Sequence, residues 1–370
     1  MKNVDRRQWL KTISLSSGFA LLGGFEGLAL TEPIKPSSKG GLVKLSSNEN
    51  PYGPSKRVRD AISNTFDEAC RYPFQVLRGL VDAIAEKEGV TKDHVVVTGG
   101  STEGLRAAGL VYGLGGGELI AADPTFHVML NYGETHGALA HRVPVNDKME
   151  HDLEAMAEKI NDKTRLIFIC NPNNPTGTLL KREALKDFCT SHDNQAVVFS
   201  DEAYYDFITE PDYPSMVELV KQGRNIIVSK TFSKVYGLAG MRVGYLITRP
   251  DIANRLKKSV MANTNILAIA AALEALKDDE FYKLSIIRNK EAKEHIYQTL
   301  DDLSLEYIKS HTNFVFFKSG RPISGLIADM KKEGVIIGRP FPPFYNWARI
   351  STGTIEQVAQ FGSALKSVMG

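Results

Sequence analysis

Hydrophobic residues along the chain fall into short, β-branched runs that alternate with segments of helical spacing. The apolar runs predict buried strands at residues 94–98, 118–126, 138–145, 165–170, 196–200 and 225–228. Helical spacing is found at residues 76–88, 105–114, 153–160 and 182–191. This alternation predicts an α/β fold with a mainly parallel, doubly wound sheet. In such sheets, ligands bind beyond the carboxyl ends of the strands.

The pattern changes near residue 251 and becomes strongly helical. Helices are predicted at 252–261, 266–276 and 279–303, and short strands at 306–308, 314–317 and 335–337. We therefore expect a large domain over residues 56–265 and a smaller α+β domain over residues 266–370. The first helix, predicted at 55–70, is able to pack against either domain.

The first 30 residues differ from the rest of the chain. Arg6 and Arg7 precede Trp9 and Leu10, and a weakly hydrophobic run rich in Gly and Ser follows. This resembles a twin-arginine signal and predicts an exported, periplasmic protein. The alternative is an untargeted N-terminus on a cytoplasmic protein. Because the run is short and contains Glu26, we expect no stable membrane anchor. Residues 31–55 are expected to form a linker and an N-terminal arm.

Composition narrows the class of protein. The chain has 370 residues, of which 43% are hydrophobic and 24% charged, as is usual for a soluble globular protein. The net charge is +2 and no basic run contains interleaved aromatics, which disfavours nucleic-acid binding. Cys70, Cys170 and Cys189 lack the spacing of metal ligands, so no metal site is expected.

A lysine-containing segment follows the strand predicted at 225–228. Lys234 is either a surface lysine or a desolvated amine with a lowered pKa, which could attack a carbonyl. Thr231, Ser233 and Arg242 surround it in sequence and are residue types that can hold a phosphate. This segment is the first candidate for a reactive site.

Further candidates follow other strands. Gly100, Ser101 and Thr102 lie between a strand and a helix, which is typical of an anion site but also of simple helix capping. Phe126 could stack on a planar ring or belong to the core. Residues 171–177 form a loop made rigid by two Asn-Pro pairs.

Two charged residues lie in apolar strand patterns. Asp201 ends a buried strand, where a carboxylate is costly unless a cation pairs with it; a helix N-cap is the alternative. Arg349 lies in a late strand and is either a surface arginine or a bidentate clamp for a substrate anion.

The order of these segments carries a family resemblance. The motifs are G-G-S-T-E, D-P-T-F, N-P-N-N-P-T-G, S-D-E-A-Y and S-K-T-F-S-K with a following Arg. Over about residues 42–360 the chain resembles aspartate-aminotransferase-type (fold type I) pyridoxal-phosphate enzymes, and it is most similar to the histidinol-phosphate aminotransferase branch. The resemblance implies pyridoxal 5'-phosphate as cofactor. It also implies transfer of an amino group between an amino acid, or an amino-acid-like phosphate ester, and a 2-oxo acid.

The resemblance also implies residue roles. Lys234 would form a Schiff base with the cofactor and act as general base, and Asp201 would keep the pyridine nitrogen protonated. Tyr204 and Asn174 would contact the phenolic oxygen, and Phe126 would stack on the ring. The residues expected to hold the cofactor phosphate are Gly100, Ser101, Thr102, Thr231, Ser233 and Arg242.

Substrate and partner contacts follow from the same resemblance. Tyr52, Asn174 and Arg349 are expected to contact the substrate, with residues 45–54 along its entrance. A homodimer is implied, in which Tyr72 reaches the partner's cofactor phosphate. A half-buried packing tyrosine is the alternative for Tyr72.

Three alternatives concern the activity. The same scaffold hosts decarboxylases and lyases, and related domains serve as effector-binding modules of regulators. A regulator would need a DNA-binding domain, for which the residues before 42 offer little room. The proline- and aromatic-rich segment 338–345 favours an apolar or aromatic substrate, although loop packing explains it equally well. Histidinol phosphate is a cytoplasmic intermediate, so an exported enzyme would be poorly placed to use it.

Overall fold

The computed structural model describes residues 41–370. The predicted export signal and most of the predicted linker lie outside the described residues. The described residues belong to one compact unit, and the division at residues 265 and 266 stays a prediction. Within residues 41–370, no helix is long and apolar enough to cross a membrane.

The strands confirm the predicted sheet. In chain order they are β1 (Val43–Lys44), β2 (Val95–Thr98), β3 (Glu118–Asp123), β4 (Leu139–Pro144), β5 (Thr164–Cys170), β6 (Val197–Asp201), β7 (Ile226–Thr231), β8 (Gly244–Thr248), β9 (Phe314–Lys318), β10 (Val335–Ile336) and β11 (Trp347–Ser351). Seven of them form the central sheet in the order β2-β8-β7-β6-β5-β3-β4. All neighbouring pairs in this sheet are parallel except the two that involve β8.

Helices cover both faces of the sheet. They are α1 (Lys56–Asn64), α2 (Phe74–Glu88), α3 (Ser101–Gly113), α4 (Val128–Thr135), α5 (Leu153–Ala157), α6 (Arg182–His192), α7 (Val217–Lys221), α8 (Pro250–Lys257), α9 (Ile266–Ala275), α10 (Asp279–Asp302), α11 (Ile323–Lys332) and α12 (Ile355–Met369). Two buried apolar clusters, one on each face, pack helices against the strands of this sheet. The helices α11 and α12 belong instead to a third cluster in the C-terminal region. Burial on both faces explains why the strands are continuous apolar runs.

Several predicted boundaries were wrong. The helix predicted at 55–70 ends at Asn64, and a 3-10 turn, Phe66–Glu68, follows it. The helix after the glycine turn begins at Ser101 rather than at residue 105. The strand predicted at 306–308 is only a single bridge between Tyr307 and Phe317.

A separate apolar cluster holds the C-terminal elements together. It contains Val43 and Leu45 besides residues of α10, α11, α12, β9 and β11. β1 pairs with β10 in parallel, through Val43 and Val335. The N-terminal arm is therefore anchored to the C-terminal region, and residues 46–50 lead from there towards the ends of the central strands. By contrast, α9 packs against α1 and α2 in the main core.

Candidate active site

The predicted site residues gather at the carboxyl edge of the central sheet. Asp201 ends β6, Thr231 ends β7, and Cys170 ends β5 directly beside Asp201. The rigid loop 171–177 and the turn before α3 leave the sheet at the same edge. This is where a doubly wound sheet presents its ligand site. Among residues 41–370, no three His, Cys, Asp or Glu side chains are grouped to hold a metal ion.

Lys234 lies three residues beyond β7 with its amine turned into the site. Its Nζ donates to the backbone carbonyl of Asn48 at 3.0 Å and lies 5.5 Å from the centre of the Tyr204 ring. Burial, together with the nearby charge of Arg349, lowers the pKa of Lys234 to about 8. A lysine on an open surface would feel neither effect, so this placement does not fit the surface-lysine alternative.

Lys230, in the same segment, is in a different electrostatic environment. Its Nζ lies 2.8 Å from an oxygen of Glu88 and 3.7 Å from one of Glu202. Burial alone would lower the pKa of Lys230, but these two carboxylates raise it. Lys230 is therefore held as an ammonium in a buried ion cluster. Of the two lysines, Lys234 is the one with access to its neutral, nucleophilic form.

Asp201 is a buried carboxylate with an unused oxygen. The side chain is buried, and its Oδ1 has no hydrogen-bond partner among the described residues. Burial raises the pKa of Asp201 to about 7. The helix N-cap alternative is wrong, because the next helical residues form a short 3-10 turn, Tyr205–Phe207, that begins after Tyr204. The unpaired oxygen is suited to a cationic ring nitrogen.

Tyr204 and Asn174 meet beside this carboxylate. Asn174 Nδ2 donates to the Tyr204 hydroxyl at 3.3 Å, and Asn48 Nδ2 donates to it at 3.0 Å. Burial raises the pKa of Tyr204, so the phenol is neutral and can itself donate a hydrogen bond. The structure thus brings together the two residues predicted to contact a phenolic oxygen.

Arg349 approaches from β11 and is only 7% exposed, so the surface-arginine alternative is wrong. Its Nη1 donates to Asn174 Oδ1 at 2.6 Å and its Nη2 to the Ser46 carbonyl at 2.8 Å. The buried Nε has no partner within the described part of the chain, and no acidic side chain there pairs with this guanidinium. Burial lowers the pKa of Arg349 to about 10.

The turn before α3 forms a compact cradle. Gly100 precedes the helix with a φ of 81°, and the helix begins with Ser101 and Thr102. The side chain of Ser101 does not cap the helix, whereas Glu103 Oε2 accepts a hydrogen bond from the backbone N–H of Gly99 at 2.5 Å. A Cβ on Gly100 would overlap the guanidinium of Arg242. Positive φ and close approach both require glycine here.

Arg242 completes this cradle from the lysine segment. Its Nη1 lies 3.4 Å from Ser233 Oγ, and the backbone N–H of Ser233 donates to Thr231 Oγ1 at 3.1 Å. A guanidinium, hydroxyls and the positive end of a 13-residue helix thus converge on one point. This arrangement fits a phosphate group.

Three further predicted residues are only half-buried or exposed. Phe126 is half-buried against the core on one face of the sheet. Tyr52 is half-buried, and burial raises its pKa. Tyr72 is 83% exposed and stacks on Phe74 with ring centres 5.6 Å apart. The half-buried alternative for Tyr72 is wrong, and within its own chain Tyr72 does not join the site.

Sequence reasoning missed residues that complete the site. Asn48 contacts both Lys234 and Tyr204, and Ser46 holds Arg349. Both belong to residues 45–54, which were predicted to lie along the substrate entrance, but only Tyr52 of that stretch was predicted to contact the substrate. Asn313 and Ser351 contact Asn48 from the C-terminal region. The available signal was their position at strand termini, since Asn313 directly precedes β9 and Ser351 ends β11.

These residues fit pyridoxal 5'-phosphate group by group. The cradle suits its phosphate, the unpaired Asp201 oxygen suits its ring nitrogen, and the Lys234 amine suits its aldehyde. The fold and the site together define a fold type I pyridoxal-phosphate enzyme. The chain belongs to the family of class I and II aminotransferases, whose family model matches residues 41–365. It is a pyridoxal-phosphate-dependent aminotransferase similar to histidinol-phosphate aminotransferases.

Known relatives extend over most of the chain. It is 37% identical to the histidinol-phosphate aminotransferase of Moorella thermoacetica over 334 residues, which cover 89% of this chain and 86% of that protein. It is 34% identical to histidinol-phosphate aminotransferase 2 of Methylococcus capsulatus, with 94% and 97% covered. The fold also matches the histidinol-phosphate aminotransferase of Sinorhizobium meliloti in complex with pyridoxal-5'-phosphate, with a TM-score of 0.82 at 24% identity, covering 89% and 91%.

Proposed function

We propose that this aminotransferase takes its amino group from a donor that carries an anionic group and passes it to a 2-oxo acid, with Arg349 binding the anion of either substrate. The observation that carries the proposal is the buried Arg349 guanidinium, which has no acidic partner within residues 41–370. A buried charge without a counter-ion is costly. A carboxylate or phosphate at this point would remove that cost and bind bidentately.

A phosphate ester of the histidinol phosphate type is the donor we favour. Arg339 and Arg349 lie over the ring of Phe341, at 4.4 and 4.9 Å from its centre. Two neighbouring guanidinium groups suit a doubly charged phosphate, and the aromatic ring between them suits a planar side chain. The two relatives described above, at 37% and 34% identity, are both named histidinol-phosphate aminotransferase. An aromatic amino acid is the other donor class that this surface fits.

We assign the following roles to the side chains. When bound, pyridoxal 5'-phosphate supplies an aldehyde for amines and a ring that accepts the electron pair of the substrate's Cα–H bond. Lys234 would hold the cofactor covalently at rest and, once released, would move the proton from the substrate's Cα to C4′ of the cofactor. Asp201 keeps the ring nitrogen protonated. Tyr204 and Asn174 orient the ring through its oxygen, and Phe126 covers one face.

The exposed aromatic pair of Tyr72 and Phe74 supports a homodimer. Phe66 and Met261 are also exposed, at 59% and 82%. Large apolar groups at a surface indicate a contact site when they lie together. We propose that Tyr72 crosses a two-fold interface to the cofactor phosphate held by the partner, as an isologous contact requires.

Export through the twin-arginine route is a separate proposal, supported by Arg6 and Arg7 with the apolar run behind them. It goes with the other donor class, an aromatic amino acid, because histidinol phosphate is a cytoplasmic intermediate. The double variant Arg6→Lys with Arg7→Lys should retain the protein in the cytoplasm. Cell fractionation measures where the protein accumulates. The control is the double variant Lys331→Arg with Lys332→Arg, which changes two exposed lysines outside the predicted signal. Unchanged fractionation of the signal variant would refute export by this route.

A donor screen with the purified protein tests the proposed activity. Histidinol phosphate, aromatic amino acids and acidic amino acids are each mixed with the holoenzyme, and the cofactor's visible absorbance is followed without any oxo acid. The expected result is rapid loss of that absorbance with histidinol phosphate and its return when a 2-oxo acid is added. Release of carbon dioxide instead would identify a decarboxylase. Loss of absorbance with none of these donors would refute the proposed activity.

A further inference from the structure

Asn48 has an unusual backbone for a buried residue. It is 2% exposed and has a φ of 55°, in the left-handed region. Residues other than Gly, Asn and Asp rarely adopt this conformation, because their Cβ approaches the following carbonyl oxygen. The left-handed turn directs the carbonyl of Asn48 away from the arm and into the site.

That carbonyl accepts two hydrogen bonds. Lys234 Nζ donates to it at 3.0 Å from the lysine segment, and Asn313 Nδ2 donates to it at 3.0 Å from the residue before β9. A carbonyl oxygen has two lone pairs, so both are used. The position of the Lys234 acceptor is thus fixed by a residue of the C-terminal region.

The side chain of Asn48 is fully engaged as well. Its Nδ2 donates to the Tyr204 hydroxyl at 3.0 Å, and its Oδ1 accepts from Ser351 Oγ at 2.8 Å. Its backbone N–H donates to the same Ser351 Oγ at 2.8 Å. Asn48 therefore touches Lys234 and Tyr204 on one side and Asn313 and Ser351 on the other.

The neighbouring residues hold this segment in place. Two residues before Asn48, the carbonyl of Ser46 accepts a hydrogen bond from Arg349 Nη2 at 2.8 Å. Two residues after it, Asn50 Nδ2 donates to the Val235 carbonyl at 2.8 Å and to Ser285 Oγ at 2.9 Å. The segment 46–50 is thus bonded to the lysine segment, to β11 and to α10.

We propose that Asn48 is a positioning residue for the Lys234 amine: its left-handed backbone presents a carbonyl that holds this amine whenever the amine is not joined to the cofactor. Asn313 and Ser351 fix the carbonyl, so the C-terminal elements that bind the substrate anion through Arg349 also set the place of the general base. The inference rests on the proposed role of Lys234.

Glycine and alanine at position 48 separate the backbone from the side chain. Asn48→Gly keeps the left-handed turn, the carbonyl and the backbone N–H bond to Ser351, but it removes the side-chain contacts with Tyr204 and Ser351. Asn48→Ala removes the same contacts and also disfavours the turn. Asp212→Ala is the matched control, because Asp212 also has a left-handed φ, of 57°, but is exposed and distant in sequence from these segments.

The test uses protein loaded with pyridoxamine 5'-phosphate, in which the Lys234 amine is free. Trace acetic anhydride at neutral pH, followed by peptide mass spectrometry, measures the acetylation rate of Lys234. Losing one hydrogen bond from the amine should raise this rate about two- to tenfold in Asn48→Ala. The rate in Asn48→Gly and in Asp212→Ala should stay within about twofold of the wild type.

The donor half-reaction provides the second readout. In Asn48→Ala the rate constant of this half-reaction at saturating donor should fall by a similar factor, with the half-saturating donor concentration little changed. In Asn48→Gly, which loses only the side-chain contacts, the fall should be smaller. Equal labelling in the wild type and Asn48→Ala, or equal defects in the glycine and alanine variants, would overturn the proposal.

If Asn48→Ala does not fold, Asn313→Ala replaces it: labelling of Lys234 should rise, and an unchanged rate would overturn the proposal. Because labelling needs no donor, a wrong donor assignment cannot be mistaken for this outcome.

Discussion

Arg349 Nη1 donates to Asn174 Oδ1 at 2.6 Å. Arg349 is the residue predicted to bind the substrate anion, and Asn174 is one of those predicted to contact the cofactor, so this hydrogen bond joins the two sites. The amide's Nδ2 points the other way, to the Tyr204 hydroxyl at 3.3 Å. An amide has distinct donor and acceptor ends, so this arrangement fixes its orientation. The substrate and cofactor sites are therefore positioned by one side chain.

Removing the guanidinium should weaken substrate binding. Arg349→Ala should raise KM for the donor and acceptor, because losing a buried charged hydrogen-bond pair costs about 2–5 kcal/mol. The visible cofactor spectrum should persist, since the phosphate cradle is untouched. Steady-state kinetics measure the change, and Arg142→Ala, at an exposed ion pair, is the control. Unchanged KM values would show that Arg349 does not bind the substrate.

Asp201→Asn should impair chemistry more than cofactor binding. The amide cannot stabilise a protonated ring nitrogen, so the rate of the donor half-reaction should fall about 10²–10³-fold, as for the loss of other preorganised electrostatic contacts. Asp206→Asn, five residues further along, is the comparison. A half-reaction in Asp201→Asn within about threefold of the wild-type rate would contradict the assigned role.

The buried ion cluster predicts a stability difference between two lysines. Lys230→Met leaves Glu88 and Glu202 buried without their cation, and should lower the free energy of unfolding by about 3–5 kcal/mol. Lys318→Met removes an exposed pair with Glu306 and should change it by less than about 1 kcal/mol. Denaturant unfolding of the holoenzyme measures both. Equal values for the two variants would show that the cluster is not stabilising.

Tyr72 should act across the proposed dimer. Two inactive variants, Tyr72→Ala and Lys234→Ala, are mixed under conditions in which subunits exchange. One hybrid site then carries both defects and the other carries neither, so up to half of the sites in each mixed dimer regain activity. Tyr72→Phe serves as a control for the loss of the hydroxyl alone. If Tyr72→Ala is impaired by itself and mixed dimers form, absence of recovery would show that Tyr72 does not act in trans.

The sequence allowed the sheet and the charged centre of the site to be predicted for a physical reason. Asp201 ends one apolar strand and Lys234 closely follows another, at positions where a buried charge needs a specific partner. The carboxyl ends of parallel strands meet at one edge of the sheet, so these residues come together there. Strand β8 was not predicted at all. Its antiparallel direction has no signal in the sequence either, because a buried apolar run looks the same in either direction. The contact between Asn48 and Lys234 joins residues 186 positions apart and depends on one backbone angle. No local pattern encodes such a contact.

The central claim is that Lys234 carries the cofactor, and borohydride reduction followed by peptide mass spectrometry tests it directly. The holoenzyme is reduced, digested and searched for a phosphopyridoxyl adduct. Lys230 is the internal control, because it lies four residues away but is held by two carboxylates. The expected result is an adduct on Lys234, none on Lys230, and loss of the adduct in Lys234→Ala. An adduct on Lys230 or on any other lysine would contradict the account.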